Sequence, residues 1–469
     1  MTQWETHWAS PSSCLIARST PLNWEDAAPT APSPHLCVKV TTQKLMRPAC
    51  AEQVALRLAQ ECTLMPENSA SPQRFIGLDI HKHYLIAIAV NPAGEQIGGP
   101  WRAELLELET WAKRHLTRQD AVALEMSTNT WTIYDELKPL VQSLTVVHPP
   151  HVGLIVRAQV KTDQRAALAL AQLLAKNLLP AVWVPPAPVR EQRATLAQRA
   201  KFVRLSTQAK NRLHAALQRH HLALPAEGSP FAVANRDWWL KLPVSISEKA
   251  RLQSDLETLA FAEQQIDGLT TALTAEAAQD ERLPLVLQLP GFGVINSLTV
   301  LAAIGDIRRF ETAKRLVGYA GLGTRVHDSG QLHRTGRITK AGRRDLRAAA
   351  VEAAQSAANT HPHWQAELAR LEPRLGRNKA IVAIARKLLV AVWHVLTHNQ
   401  ADRFAEPERI ARKLLAHAER IGKSGRPAGQ TAGAYVRTQL DRLGLGAELT
   451  QIQRGRKQRV RLPPVPVAT

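Results

Sequence analysis

An α/β domain followed by a mainly helical remainder is what this 469-residue sequence predicts, on three observations. Two neighbouring apolar runs of strand length, Phe75 to Ile80 and Tyr84 to Val90, are separated by polar residues. Between residues 104 and 150, segments with helical spacing alternate with short apolar runs. From Val189 onward the apolar spacing is helical almost throughout, in stretches too long for strands.

The elements follow in order. Residues 1–72 read as a poorly ordered extension, because TPLNWEDAAPTAPSPH is rich in Pro, Ala and Ser and has no sustained period. Met46 and Met65 are candidate alternative starts, and MTQWETHWAS has neither the basic start nor the apolar run of a secretory leader. Cys14, Cys37, Cys50 and Cys62 all fall in this extension; no pair has C-x-x-C spacing, so a structural metal is not expected there. A domain over 73–187 then begins with an antiparallel meander, the two apolar runs plus a short strand near Gln96 to Gly98 after the NPAG turn. ELLELETWAKRHL is a helix, AVALEM a buried strand, TIYDELKPL a helix and LTVVHP a strand, followed by a helix after KTD. The order β-β-β-α-β-α-β-α is that of a ribonuclease-H-like mixed sheet.

Residues 188–280 read as a long helical, coiled-coil-like arm. A basic helix from Val189 to about His221 and a second from about Ser247 to Ala278 flank a Pro/Gly break and the pair Trp238 and Trp239, which read as core rather than as base-stacking residues. The basic helix is either a solvated coiled-coil face or a rod laid along a phosphate backbone, with Arg199, Arg204 and Arg212 among its cations. In a mainly helical domain over 281–400, LQLPGFGVINSL is a helix, a turn and a helix. Gly291 and Gly293 could present amides to a phosphate there, as in a helix-hairpin-helix, or form a plain interhelical turn. Ser329 stands in a D-S-G turn, near a cationic group that includes Arg334, Arg337, Lys340, Arg343 and Arg344. An apolar helix, Lys379 to Leu396, closes the core, and 401–469 is a basic tail expected to bind nucleic acid.

Charge narrows the function. A formal net charge of +20 attracts polyanions, DNA or RNA before a membrane. No apolar run is read as spanning a bilayer, since IVAIARKLLVAVWHVL carries Arg386 and Lys387 at its middle. A cytoplasmic, nucleoid-associated protein is expected. Three acids occupy telling positions: Asp79 and Glu125 at the ends of apolar strands, and Asp163 at the start of a helix. Carboxylates are costly where apolar runs end inside a domain, so their convergence points to a divalent metal, Mg²⁺ or Mn²⁺, used in phosphodiester chemistry. Each also has an ordinary reading, Asp79 as a turn acid, Glu125 as a helix cap and Ser329 as a turn serine. His81 and His83 are read as turn or substrate-contact histidines rather than ligands.

GLDIHK, the LEMS strand end, KTD with ALALAQLL, KNRLHAAL, LPGFG with AAIGDIRRF, YAGL with GRITKAG, and KAIVAIARKLL occur in one order. Together they resemble the DEDD transposases of the IS-one-ten insertion-sequence family, from about Phe75 to Gln400. The resemblance implies a RuvC-like nuclease domain, an arm and a C-terminal transposase domain bearing a nucleophilic serine. It further implies metal ligands at Asp79, Glu125 and Asp163, a nucleophile at Ser329, a DNA substrate, a guide RNA encoded by the element, and a homodimer or homotetramer in which cage and serine meet across subunits. The family pattern K-T-D-x-x-D is broken here, because position 166 is Ala166. Losing one carboxylate lowers metal affinity, so a nucleic-acid-binding relative with impaired cutting stands beside an active transposase; a junction-resolving nuclease using the first domain alone is a separate alternative.

Overall fold

The computed structural model describes residues 71–150, 162–225, 227–329, 332–455 and 458–465. Contacts divide the chain into one unit of residues up to 145 with 149–179, and another of 146–148 with 180–469. The extension expected to residue 72, with its cysteines and both alternative starts, lies outside the described residues as far as residue 70.

The first unit rests on a five-stranded mixed sheet in the order β3-β2-β1-β4-β5. Its strands are β1 (Arg74–Ile80), β2 (Tyr84–Val90), β3 (Gln96–Glu104), β4 (Asp120–Glu125) and β5 (Ser143–Val147). Strand β1 pairs antiparallel with β2 and parallel with β4, placing Gly77 beside both Ile88 and Ala123. Helices α1 (Leu108–His115), α2 (Thr130–Leu137) and α3 (Asp163–Ala175) complete the expected alternation. Strand β3 runs six residues past the expected Gly98, through Gly99 and Pro100. A proline lacking its N–H is tolerated there because β3 is an edge strand.

Side chains of β1 alternate. Ile76 and Leu78 are buried on one face, while Phe75, Gly77 and Asp79 share the other, over which α3 packs. A Cβ at Gly77 would lie 2.0 Å from the Ala167 carbonyl oxygen and 2.6 Å from the Ala171 nitrogen. The α3 backbone therefore lies directly on the strand, and the small Ala167 and Ala171 complete the fit against Ile86, Ile88 and Val90. The other end of the β1–β4 pair is fixed by Arg74, whose Nε and Nη2 donate to the two oxygens of buried Asp120 at 2.8 and 2.7 Å.

The second unit begins with two long helices, α4 (Ala187–Arg219) and α6 (Ile246–Ala277), joined through the short α5 (Arg236–Leu240). Their pairings run in opposite directions: Arg219 with Glu248, Arg212 with Asp255, Lys210 with Glu263 and Gln192 with Glu276. The helices are therefore antiparallel. Trp239 is fully buried where they join, its indole N–H donating to the Pro230 carbonyl at 2.7 Å. This is the core role read from sequence.

Next come α7 (Leu283–Leu287), α8 (Val294–Ile304), α9 (Ala313–Tyr319), a hairpin of β6 (Thr324–Ser329) with β7 (Leu332–Ile338), α10 (Arg344–Thr360), α11 (Pro362–Leu375) and α12 (Arg377–His398). By length and composition α12 could cross a membrane. Its Ile381, Ile384, Leu388, Leu389 and Val392 instead form the centre of the second unit's apolar core. Helix α10 turns a stripe of alanines to that core, and Gly291 packs on it: a Cβ there would lie 1.9 Å from the Ala353 carbonyl oxygen. The C-terminal end of α8 collects three guanidinium groups, with Arg193 and Arg309 on the carbonyls of Ala302 to Ile304 and Arg282 on that of Gly305. Cations are stabilising at that end of a helix.

The segment expected as a basic tail is folded over its described residues. Helices α13 (Pro407–Gly425) and α14 (Ala432–Leu443) and a hairpin of β8 (Gln451–Arg454) with β9 (Gln458–Arg461) add Ile410, Leu414, Val436, Leu440 and Ile452 to the core. Arg437 is buried and donates to the carbonyls of Gly446, Leu449 and Pro463, so this cation holds the fold together.

Two outcomes follow for stability. Gly291→Ala meets backbone at a φ of +81° and should cost ~3 kcal/mol, whereas Gly293→Ala, with open space at its Cβ, should cost ~1 kcal/mol or less in urea melts. Glu367 accepts from Arg370 and, across to α12, from Lys387, and these partners draw its carboxyl down from 4.5 to about 2. A depressed carboxyl stabilises fully above its ordinary value and loses that contribution as pH falls. Glu367→Gln should therefore flatten the decline in stability between pH 4.5 and 2, read from melting temperature against pH.

Candidate active site

The sheet's parallel register builds the site in the first unit. Leu78 of β1 stands beside Leu124 of β4, so one step further Asp79 and Glu125 are neighbours at the same ends of parallel strands and on the same face as Gly77 and Ala123. Helix α3 begins over that face. Thr162 caps it by accepting from the Arg165 N–H at 3.3 Å, and Asp163 is its first residue, where a carboxylate is favoured by the helix dipole. Because the close approach at Gly77 fixes how α3 lies, it also fixes where Asp163 stands.

His81 joins them. It follows the end of β1, its main-chain N–H donating to the Tyr84 carbonyl at 2.9 Å, and its ring stacks on Tyr84 with centroids 4.6 Å apart. Its Nε2 lies 3.4 Å from Asp79 Oδ2 and 3.2 Å from Asp163 Oδ2. One ligand atom from each of Asp79, His81 and Asp163 lies within 4.8 Å of the others; Glu125 is not in this close trio, and Ala166 brings no ligand atom. The Tyr84 hydroxyl donates to Asp163 at 3.0 Å, and that hydrogen bond raises the phenol's pKa. Arg102 covers the outer side of the Tyr84 ring at 4.2 Å. His81 Nε2 is sealed from solvent and makes no hydrogen bond among the described residues. Two carboxylates facing a buried imidazole nitrogen form a donor set that suits a divalent cation.

Ser329 is the last residue of β6, opposite Leu332 of β7. The expected D-S-G turn is not described beyond Ser329, because residues 330–331 lie outside the described residues. Arg334 and Arg337 are exposed on β7, Lys340 and Arg344 are exposed beyond it, and Arg343 forms an ion pair with Asp345.

Four of the residues expected to contact nucleic acid, Arg199, Arg204, Gly291 and Gly293, line one cleft of 1170 Å³ in the second unit. Arg199 donates to Thr270 at 2.7 Å, Arg204 is exposed, and Arg212, outside the cleft, is engaged with Asp255. Sequence reading missed two groups in this cleft. Lys413 donates to the carbonyls of Leu287 and Leu289, and burial brings its ammonium down to about 8. His417, one turn further along α13, is buried and brought down to about 4 by burial, so it is neutral at pH 7. A histidine among the apolar residues of an amphipathic helix, in KLLAHAERI, was the available signal.

Comparison with known proteins covers both units. Residues 76–222 match a transposase family model of the DEDD, IS110 type, and residues 283–369 match the transposase IS116/IS110/IS902 family. The transposase for insertion sequence element IS1111A of Coxiella burnetii is 27% identical over 271 residues, 55% of this chain and 72% of that protein. The pilin gene-inverting protein of Moraxella bovis is 26% identical over 339 residues, 70% of this chain and 96% of that protein. Putative transposase y4qE of Sinorhizobium fredii is 24% identical over 364 residues, 76% of this chain and 90% of that protein.

Proposed function

This chain belongs to the IS110 family of DEDD transposases, and from that membership we propose that it cuts and rejoins the DNA strands of an insertion sequence with a metal site and a serine nucleophile. The observation that carries the reading is the convergence of Asp79 and Asp163, 84 positions apart in sequence, on one face of the sheet with Glu125 beside them. Asp79, Glu125 and Asp163 would hold Mg²⁺ or Mn²⁺. Bound there, such an ion polarises a phosphoryl oxygen and stabilises the charge that develops on it.

Ser329 supplies the nucleophile. Its Oγ attacks the scissile phosphorus, a P–O bond to deoxyribose breaks, and the serine proton is balanced by protonation of the leaving hydroxyl. The phosphoserine ester keeps the bond energy, so attack by another strand's hydroxyl reseals DNA and returns the serine without ATP. Exposed cations at Arg334, Arg337, Lys340 and Arg344 would position the backbone and offset charge on the phosphorane. Arg204 and the cleft it lines are a second nucleic-acid surface, supported by the meeting there of Gly291, Gly293, Arg199 and Arg204. A structured guide RNA from the element, a homodimer or homotetramer, and action at the bacterial nucleoid belong to the same proposal and rest on the family resemblance and the net charge of +20.

Ser329→Ala should abolish strand joining while DNA binding survives, measured by exchange and mobility-shift assays; binding that disappears together with activity would assign Ser329 to folding. With Mg²⁺, Ala166→Asp should raise cleavage, and no change would remove the argument from the missing acid. Cleavage that persists in Ser329→Ala would favour the junction-nuclease alternative. DNA affinity should fall steeply with salt, and Arg334→Ala should reduce that slope by ~0.9 if its guanidinium neutralises one phosphate.

A further inference from the structure

We infer that His81 is itself a metal ligand in this chain, its Nε2 taking a coordination position in a cage that lacks the acid at 166, and that the site consequently favours a transition-metal dication such as Mn²⁺ over Mg²⁺. The inference rests on the proposed metal-dependent chemistry and goes beyond it by naming a nitrogen donor and the class of ion. Sequence reading set His81 aside because strand alternation carries Asp79 and a residue two further on to the same side only if the strand continues unbroken. Strand β1 ends at Ile80, and the turn into β2 nevertheless brings the imidazole back over the carboxylates.

Geometry is the first support. Neighbouring donors on an octahedral ion at ~2.1 Å are ~3 Å apart. The separations of 3.4 and 3.2 Å from Nε2 to the oxygens of Asp79 and Asp163 are close to that spacing. Orientation is the second. The ring is fixed by its stack on Tyr84, Tyr84 is fixed by its hydrogen bond to Asp163 and by Arg102 over its face, and the Asn129 amide reaches the His81 carbonyl at 3.5 Å. A ligand held by neighbours in this way loses little freedom on binding. The third is the state of the atom itself: Nε2 is buried between two carboxylate oxygens at ion-pair distance, and neither meets it in hydrogen-bond geometry, so its lone pair is placed to coordinate an ion that the same oxygens would share.

Selectivity then follows from donor chemistry. Mg²⁺ takes oxygen ligands and gives up water reluctantly, whereas imidazole nitrogen suits first-row transition metals. Replacing one carboxylate by one imidazole also makes the cage less negative by one charge, which weakens a purely electrostatic site for Mg²⁺ more than a site with nitrogen coordination.

The test uses the full chain with Mn²⁺ or Mg²⁺ as the only added ion. Titration calorimetry should give Mn²⁺ at least roughly tenfold tighter than Mg²⁺, and electron spin-echo modulation of bound Mn²⁺ should show coupling to a directly bonded nitrogen. His81→Ala should remove that coupling and weaken Mn²⁺ by roughly tenfold or more. His81→Ala with Ala166→Asp should bind both ions without nitrogen coupling. Asp79→Asn reports on the underlying metal reading: if the wild type binds no ion, or binding ignores Asp79, the metal site itself falls and this inference with it. Mn²⁺ binding that needs Asp79 but shows no nitrogen coupling and is unmoved by His81→Ala overturns the inference alone, leaving His81 an ion-pair partner. The wild-type spectrum decides even where a variant fails to fold.

Discussion

A helix backbone resting directly on a strand, without a side chain between them, is the constraint on which the first unit depends. Gly77 makes it possible, since any Cβ would strike the Ala167 carbonyl. The close approach sets the height of α3 above the sheet, and that height sets the distance from Asp163 to Asp79 and His81. A methyl group at Gly77 would therefore act on the site through the fold, although it touches no ligand atom. Arg74 and Asp120 hold the other end of the same strand pair, so packing locks one end and leaves carboxylates at the other.

The second unit repeats the device in helices. Gly291 lies against the alanine stripe of α10 where no side chain fits, which accounts for its backbone conformation by packing. Its cations divide into two populations. Arg193, Arg282, Arg309, Arg437 and Lys413 donate to main-chain carbonyls, and Arg212 and Arg219 bind acids on the facing helix. These hold the structure and offer little to a polyanion. Arg204, Arg334, Arg337 and Arg344 face solvent. Net charge thus overstates the nucleic-acid surface, because charge satisfied inside the fold releases no counterions.

Departure from the four-acid pattern can be understood in the same terms. A cage is a sum of donors and charge, and Ala166 removes one of each. Position 81 lies near in space because of a turn whose ring is held by Tyr84, a residue that also holds Asp163. Tyr84 thus links two candidate ligands, stacking on one and donating to the other.

The sequence by itself determined what depends on local period and chain order. Apolar runs in FIGLDI and AVALE, helical spacing from Val189 to about His221, and acids at strand ends and at a helix start made the sheet, the long helices and the candidate acids Asp79, Glu125 and Asp163 legible. Glycine and proline misled at β3, because an edge strand accepts residues that a central one excludes. The basic composition of 401–469 obscured a folded segment, since burial of Arg437 depends on three carbonyls brought together by its own turns and strands. Tertiary structure alone decided that His81 faces two carboxylates and that Lys413 and His417 enter a cleft. Periodicity reports which face a residue takes within its own element; which groups meet across 80 or more positions is set by how closely backbones pack, and here a glycine decides that.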